Sequence, residues 1–295
     1  MTDHRVLHLS DLHLSGVRPH NTGNWEICLA AIQRTTPDLV VLGGDMVLDD
    51  PDAAEDHAFA RAQVERITVP WRAIPGNHDV GDTQPRPYKD QAVTDVRRMR
   101  YLAHYGEDYW SHDLGRWRLI GLNDLLFASD LEAERQQFDW LRERLAEASG
   151  RPVALFIHKP LCLDVLDEDV ITQSVVTPLG RRRLLSVIAN SDVRLIGSGH
   201  THRYRSLLCG GLAMVWAPTI GQLNHNFQMA RGGLQRTGWV AYTFREDGVE
   251  WQLVQPPELP PVDITELSAQ FGAMRFVPPE LSSALMTPSQ GESAP

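Results

Sequence analysis

Arg5-Val6-Leu7-His8-Leu9-Ser10-Asp11-Leu12-His13 is a short apolar-rich run that turns polar at its end. The pattern returns at Leu39-Val40-Val41-Leu42-Gly43-Gly44-Asp45 and at Trp71-Arg72-Ala73-Ile74-Pro75-Gly76-Asn77-His78-Asp79. A continuous aliphatic run stopped by glycine marks a strand buried on both faces. Trp25 to Arg34 and Asp56 to Arg66 read as helices between these runs. The resulting βαβαβ order predicts a parallel sheet covered by helices.

Further along, residues 80–116 are rich in Pro, Tyr, Arg and Asp. They read as a loop-heavy insertion with one helix around Asp90 to His104, expected over the pocket because it follows Asn77-His78-Asp79. Trp117 to Leu122 returns as a strand. Leu131 to Ala148 is the clearest helix, with Phe138, Leu141, Leu145 and Ala148 on one face. Val153 to Ile157 and Val193 to Ile196 read as buried strands flanking a helix at Arg181 to Ala189. Ala213 to Trp216, Trp239 to Phe244 and Val249 to Val254 read as an antiparallel meander. After Gln255 the chain becomes Pro-rich. The division expected is one domain over residues 1–255 and an extended or partly disordered arm over 256–295, with a short helix around Ile264 to Phe271. Such an arm, on an acidic protein, is compatible with a homodimer.

With 42% hydrophobic and 22% charged residues, the 295-residue chain has the composition of a folded protein. No run of about 18 apolar residues is present, and Met1 to His8 lacks a signal-peptide pattern; a cytoplasmic location without membrane contact is the expectation. Cys28, Cys162 and Cys209 form no CxxC pair, so neither a disulfide framework nor a thiolate zinc site is indicated. The net charge of −10 argues against nucleic acid as main partner, since binding it needs a basic face. A phosphate-bearing substrate would need a local positive centre, which metal ions provide.

Candidate ligands cluster where strands end, at Asp11 and His13, Asp45, Asn77, His158, and His200 and His202. In open α/β sheets, the carboxyl ends of strands build the ligand site. Asp-x-His and His-x-His would each place two ligands on one side of an extended segment. Glycines before Asp45, Asn77 and His200 allow close backbone approach. A set of imidazole, carboxylate and amide oxygen without thiolate suits Mn, Fe, Zn, Co or Ni rather than Ca or Mg.

These five segments, in this order, resemble the calcineurin-like metallophosphoesterase superfamily across roughly residues 5–220. The resemblance implies a four-layer αββα sandwich, two mixed β-sheets with flanking helices, and two transition-metal ions. One ion would take Asp11, His13, Asp45 and His202; the other would take Asp45, Asn77, His158 and His200, with Asp45 bridging. His78 matches the family histidine that sits by the substrate phosphate, and Asp79 its orienting partner. The implied reaction is hydrolysis of a small phosphate ester by metal-activated water. Ser10-Asp11-Leu12-His13-Leu14 is similar to class III cyclic-nucleotide and glycerophosphodiester phosphodiesterases, although Lys159 stands where those carry a second histidine. Asn77 to Asp82, His158-Lys159-Pro160-Leu161 and Ile220-Gly221-Gln222-Leu223 look more like calcineurin-like serine/threonine phosphomonoesterases. A small diester is the first choice and a monoester the second. Some proteins of this fold serve as non-catalytic scaffolds, but this chain keeps His78 and all seven ligands.

Around this set, Lys159, Arg203 and His225 are candidate substrate contacts. His4, His8, His20, His57, His104 and His112 read as surface or hydrogen-bonded residues. Arg181-Arg182-Arg183 reads as a solvated helix start rather than a phosphate reader, and Trp25, Trp110 and Trp117 as packing residues.

Overall fold

The computed structural model describes residues 3–83, 91–148, 150–223 and 232–263. The first part runs β1 (His4–Leu9), α1 (Thr22–Thr35), β2 (Leu39–Leu42), α2 (Ala54–Val64), β3 (Trp71–Ala73), α3 (Asn77–Val80) and α4 (Asp95–Tyr105). It continues as β4 (Trp110–Leu114), β5 (Trp117–Gly121), α5 (Glu132–Glu147), β6 (Val153–Phe156), α6 (Pro178–Ile188) and β7 (Val193–Ser198). Then come β8 (Arg203–Cys209), β9 (Leu212–Trp216), β10 (Gln222–Leu223), β11 (Leu234–Gln235), β12 (Trp239–Phe244), β13 (Val249–Val254) and β14 (Val262–Asp263).

Two mixed sheets dominate. The smaller has the order β13-β12-β1-β2-β3 and the larger β11-β8-β9-β7-β6-β5-β4. In the smaller, β1, β2 and β3 are parallel, β12 pairs antiparallel with β1, and β13 pairs antiparallel with β12. In the larger, β5, β6, β7 and β9 are parallel, flanked by antiparallel β4 and β8.

Alternation of side chains along each strand then makes four layers. Leu39 and Val41 of β2 join Val6, Ala154, Phe156, Val215 and Val240 in an apolar layer between the sheets. Val40 and Leu42 face the other way, onto Trp25, Ile32, Ala60, Val64 and Tyr101 of the helices over the smaller sheet. In β6, Val153 and Leu155 turn outward to Phe138, Leu141, Leu145 and Leu184 of α5 and α6. The αββα sandwich follows from strands apolar on both faces, each face needing its own cover. Indole N–H groups tie the layers: Trp110 donates to the Ala73 carbonyl at 2.8 Å and Trp117 to that of Arg245 at 2.7 Å.

Several expectations need correction. The three late strands are not one meander, because β9 lies in the larger sheet while β12 and β13 form a hairpin in the smaller. The insertion contains strand β4, and its helix α4 packs with Val80 and Val93 in the layer over the smaller sheet. Of the expected extended arm, 256–263 lie among the described residues, with Leu259 buried and β14 paired in parallel with β10. The helix expected at 264–271 lies outside the described residues. Arg181 is buried rather than solvated. No described helix is long and apolar enough to cross a membrane.

His8 also departs from expectation. It is fully buried in the inter-sheet layer, edge-on to Phe156 at 5.2 Å, and neither ring nitrogen finds a partner among the described residues. Burial, only partly offset by the Asp11 charge, lowers its pKa to about 3. The unfolded chain binds a proton at His8 near pH 6.5 that the folded chain refuses until about pH 3. Stability attributable to this residue is therefore complete above pH 6.5 and falls on acidification by about 1.4 kcal/mol per pH unit. Urea unfolding of the metal-free protein at pH 7 and pH 5 should show His8→Phe losing about 2 kcal/mol less than the wild type across that interval.

Candidate metal centre

All seven candidate ligands stand two to four residues beyond a strand end, and Asn77 also opens α3. After β1 and β2 the chains keep their parallel company: Asp11 N–H donates to the Gly44 carbonyl and His13 N–H to that of Asp45, both at 3.0 Å. The segments are not extended, however. Asp11, His13, Asp45, His200 and His202 all have positive φ, between 49° and 64°. Left-handed backbone is uncommon outside glycine, and its cost is tolerated where surrounding structure over-determines the site. The pairing of Asp11 with His13 and of His200 with His202 thus comes from tight turns rather than strand alternation. Gly44 and Gly76 make room for them, since a Cβ on Gly44 would sit 2.6 Å from His158 Nδ1 and one on Gly76 would overlap the Asp45 carboxylate.

The side chains converge as three overlapping groups: Asp11, His13 and His202; His13, Asp45 and His78; Asp45, His158 and His200. Within each, the ligand atoms lie within 4.8 Å of one another. Asp45 spans the groups, with Oδ2 3.8 Å from His13 Nε2 and Oδ1 3.4 Å from His158 Nε2. Asn77 Oδ1 lies 3.3 Å from His158 Nε2.

Each of four imidazoles has one nitrogen on a backbone carbonyl. His13 Nδ1 meets Leu48 O at 2.9 Å, His158 Nδ1 meets Gly43 O at 2.8 Å, His200 Nε2 meets Gln173 O at 2.8 Å and His202 Nδ1 meets Gln222 O at 2.5 Å. A carbonyl only accepts, so those nitrogens carry the hydrogens and in a neutral ring the opposite ones present bare lone pairs. The bare nitrogens face each other: His13 Nε2 and His202 Nε2 at 3.0 Å, His158 Nε2 and His200 Nδ1 at 3.2 Å. Facing lone pairs beside buried carboxylates call for positive charge between them, and this donor set fits metal ions.

Without metal, the cluster draws in a proton in place of a cation. Burial would lower His158, but the Asp45, Asp11 and Asp124 carboxylates together outweigh it and push the imidazole up to about 10, so without metal its Nε2 holds a hydrogen that a metal ion would replace. Asp45 lies well below the usual carboxylate range, because the neighbouring histidines, His158 foremost, override its burial. Asp79 goes the other way, pushed up to about 7 by burial and by Asp45.

The remaining expected residues are placed differently. Both Asp79 oxygens accept backbone N–H groups, from Gly76 at 2.7 Å, Met46 at 2.9 Å and Val47 at 3.1 Å. Adjacent residues on a helical turn do not face each other, and the described bonds of Asp79 go to these amides rather than to the His78 ring. His78 Nε2 is 3.8 Å from Asp45 Oδ2, and its side chain is 21% exposed where that of His158 is fully buried. Lys159 is buried, with Nζ 2.7 Å from both oxygens of Asp82. Arg203 begins β8 and donates to Gly233 O at 3.1 Å. His225 lies outside the described residues. Sequence reading missed Asp124, which accepts from the His158 and Lys159 amides at 2.6 and 3.0 Å. Its signal was a carboxylate just past a strand end, the same that located Asp45. The four orienting carbonyls left no signal, since every residue has one.

Residues 4–204 match the family model described as calcineurin-like phosphoesterase. The serine/threonine-protein phosphatase CPPED1 of Homo sapiens is 26% identical over 197 residues, 63% of this chain and 60% of that protein. The chain therefore spans less than two thirds of that relative's length. The 3',5'-cyclic adenosine monophosphate phosphodiesterase CpdA of Escherichia coli K12 is 25% identical over 228 residues, 73% of this chain and 75% of that one. Among solved structures, purple acid phosphatase PPD1 from yellow lupin (Lupinus luteus) superposes with a TM-score of 0.61 at 16% identity, over 85% of this chain and 52% of that one, a likeness of fold. With the family match covering more than half of its length and the ligand segments inside it, the chain belongs to the calcineurin-like phosphoesterase family.

Proposed function

We propose that the protein hydrolyses a small phosphodiester, such as a cyclic nucleotide or a glycerophosphodiester, at a centre of two transition-metal ions. The observation that carries this reading is the pair of facing, carbonyl-tethered imidazole couples joined by Asp45. Asp11, His13, Asp45 and His202 would hold one ion, and Asp45, Asn77, His158 and His200 the other. Mn, Fe, Zn, Co and Ni all suit these donors. When bound, such ions lower the pKa of water and neutralise phosphoryl oxygens.

The chain's own residues do the rest. The tethered rings are aimed before ligand arrives, so little reorganisation remains. Asp79 is a positioning residue that clamps the Asp45 loop to the Asn77 turn through three amides. His78, the more open imidazole beside Asp45, would give its proton to the departing ester oxygen.

Lys159 favours a diester. Its ammonium lies against Asp82 in a buried pair, so it does not present a free cation to the extra charge of a monoester dianion. The second reading, a phosphomonoesterase, draws on the similarity to the human serine/threonine-protein phosphatase.

Purified protein reconstituted with Mn²⁺ should hydrolyse bis-p-nitrophenyl phosphate in preference to p-nitrophenyl phosphate, with an Asp45→Ala control inactive on both. A preference for the monoester would replace the diester assignment, and inactivity of metal-loaded protein on both would favour a scaffold. His78→Ala should lower kcat by about 10²-fold or more on a diester with an alkyl alcohol leaving group, and far less on a p-nitrophenyl ester. Equal losses on the two would remove proton donation from its role.

A further inference from the structure

Of the four orienting carbonyls, three belong to short, well-anchored pieces. Gly43 and Leu48 flank Asp45, and Gln222 lies in β10. The fourth, Gln173 O, comes from the irregular connection between β6 and α6. We propose that residues 160–177 are a positioning loop for His200, and that Glu168 and Arg181 are the residues that hold it in place. This rests on the metal-centre reading above and adds to it a part of the chain not otherwise assigned a role.

The loop starts beside one candidate ligand, His158, and reaches another, His200, through Gln173. Its shape is set from within. Glu168 accepts from Leu163 N–H at 2.7 Å and Asp164 N–H at 3.0 Å, folding the first half around one carboxylate. Arg181, 2% exposed, reaches across from α6, donates to Leu161 O at 2.8 Å and to Glu168 O, and lies 3.7 Å from the Glu168 carboxylate. Val176 N–H donates to Pro160 O at 2.8 Å and closes the loop at its base. A buried guanidinium spending its donors on loop carbonyls is costly unless the geometry is needed. What that geometry delivers is a carbonyl 2.8 Å from His200 Nε2, with Nδ1 left facing His158. His200 has left-handed backbone and a partly exposed ring, and this carbonyl is one of the groups that keep the ring from turning about its bonds. Partners of this kind change metal affinity by about 10–100-fold when lost.

The test compares full-length wild type with Glu168→Ala, Arg181→Met and, as a control on the same loop, Asp169→Asn, whose side chain is exposed. In metal-free protein, the His200 ring Nε2–H should give a protected proton resonance in the wild type and control, and lose that protection in the two loop variants. Mn²⁺ titration should then show one of two binding steps weakened about 10–100-fold in the loop variants and the other unchanged. The proposal is overturned if the ring proton stays protected in both variants. It is equally overturned if both binding steps weaken together while thermal stability falls, which is the mark of a merely structural loop. Should the wild type bind no metal, the affinity arm sinks the metal-centre reading, while the ring-proton comparison still decides the link between loop and His200.

Discussion

Two imidazole nitrogens held 3.0 Å apart, each with its hydrogen committed to a carbonyl on the far side, cannot relieve each other. Positive charge between them is the remedy; His158 and His200 stand likewise at 3.2 Å on the other side of Asp45, where without metal the proton held by His158 supplies it. Everything else in the structure serves to keep those rings from turning away. The carbonyls are fixed because the strands are fixed, and the strands are fixed because the central ones of each sheet, such as β2 and β6, are apolar and buried on both faces. Without that rigid frame, the rings would rotate and hydrogen-bond to water, and the pull on a cation would vanish.

The same frame sustains the unusual backbone at the ligands. Five of the candidate ligands sit at positive φ, a conformation that costs free energy for any residue with a Cβ. The cost is spread over bonds that lock each turn. The Asp11 and His13 amides are taken by the next loop, and Asp79 gathers three more amides from the Asp45 and Asn77 segments. Glycine at positions 44 and 76 is then a requirement of space, because the loops touch where those side chains would be.

Much of this was legible in the residues. The aliphatic runs of β2 and β6 and the amphipathic α5 are strong local signals, and five polar strand ends in order pointed to one site. What escaped was the physics of partners. The two-residue spacing of Asp11 and His13 has the same appearance in a strand and in a turn, and only the turn is real. His8 looks like any alternating strand polar residue, yet its neighbours, Phe156 across the sandwich and Tyr242 on the adjoining strand β12, lie far along the chain. Lys159 reads as a substrate contact until Asp82, supplied by another segment, is seen against it. Strand β4 carries Ser111, His112 and Asp113, and its polar face hid it within an insertion that otherwise reads as loop.

The facing couple of His13 and His202 joins positions 189 residues apart, and the carbonyl that aims His202 comes later still, at Gln222. Asp11, His13, Asp45 and Asn77 come from the smaller sheet, and His158, His200 and His202 from the larger. A chain emerging from the ribosome can build β1, β2 and β3 early, but it lacks His200 and His202 until its last third is made. Closing so long a loop is slow and comes late. The set of ligands from both sheets is thus complete only once the two sheets have been made and have met.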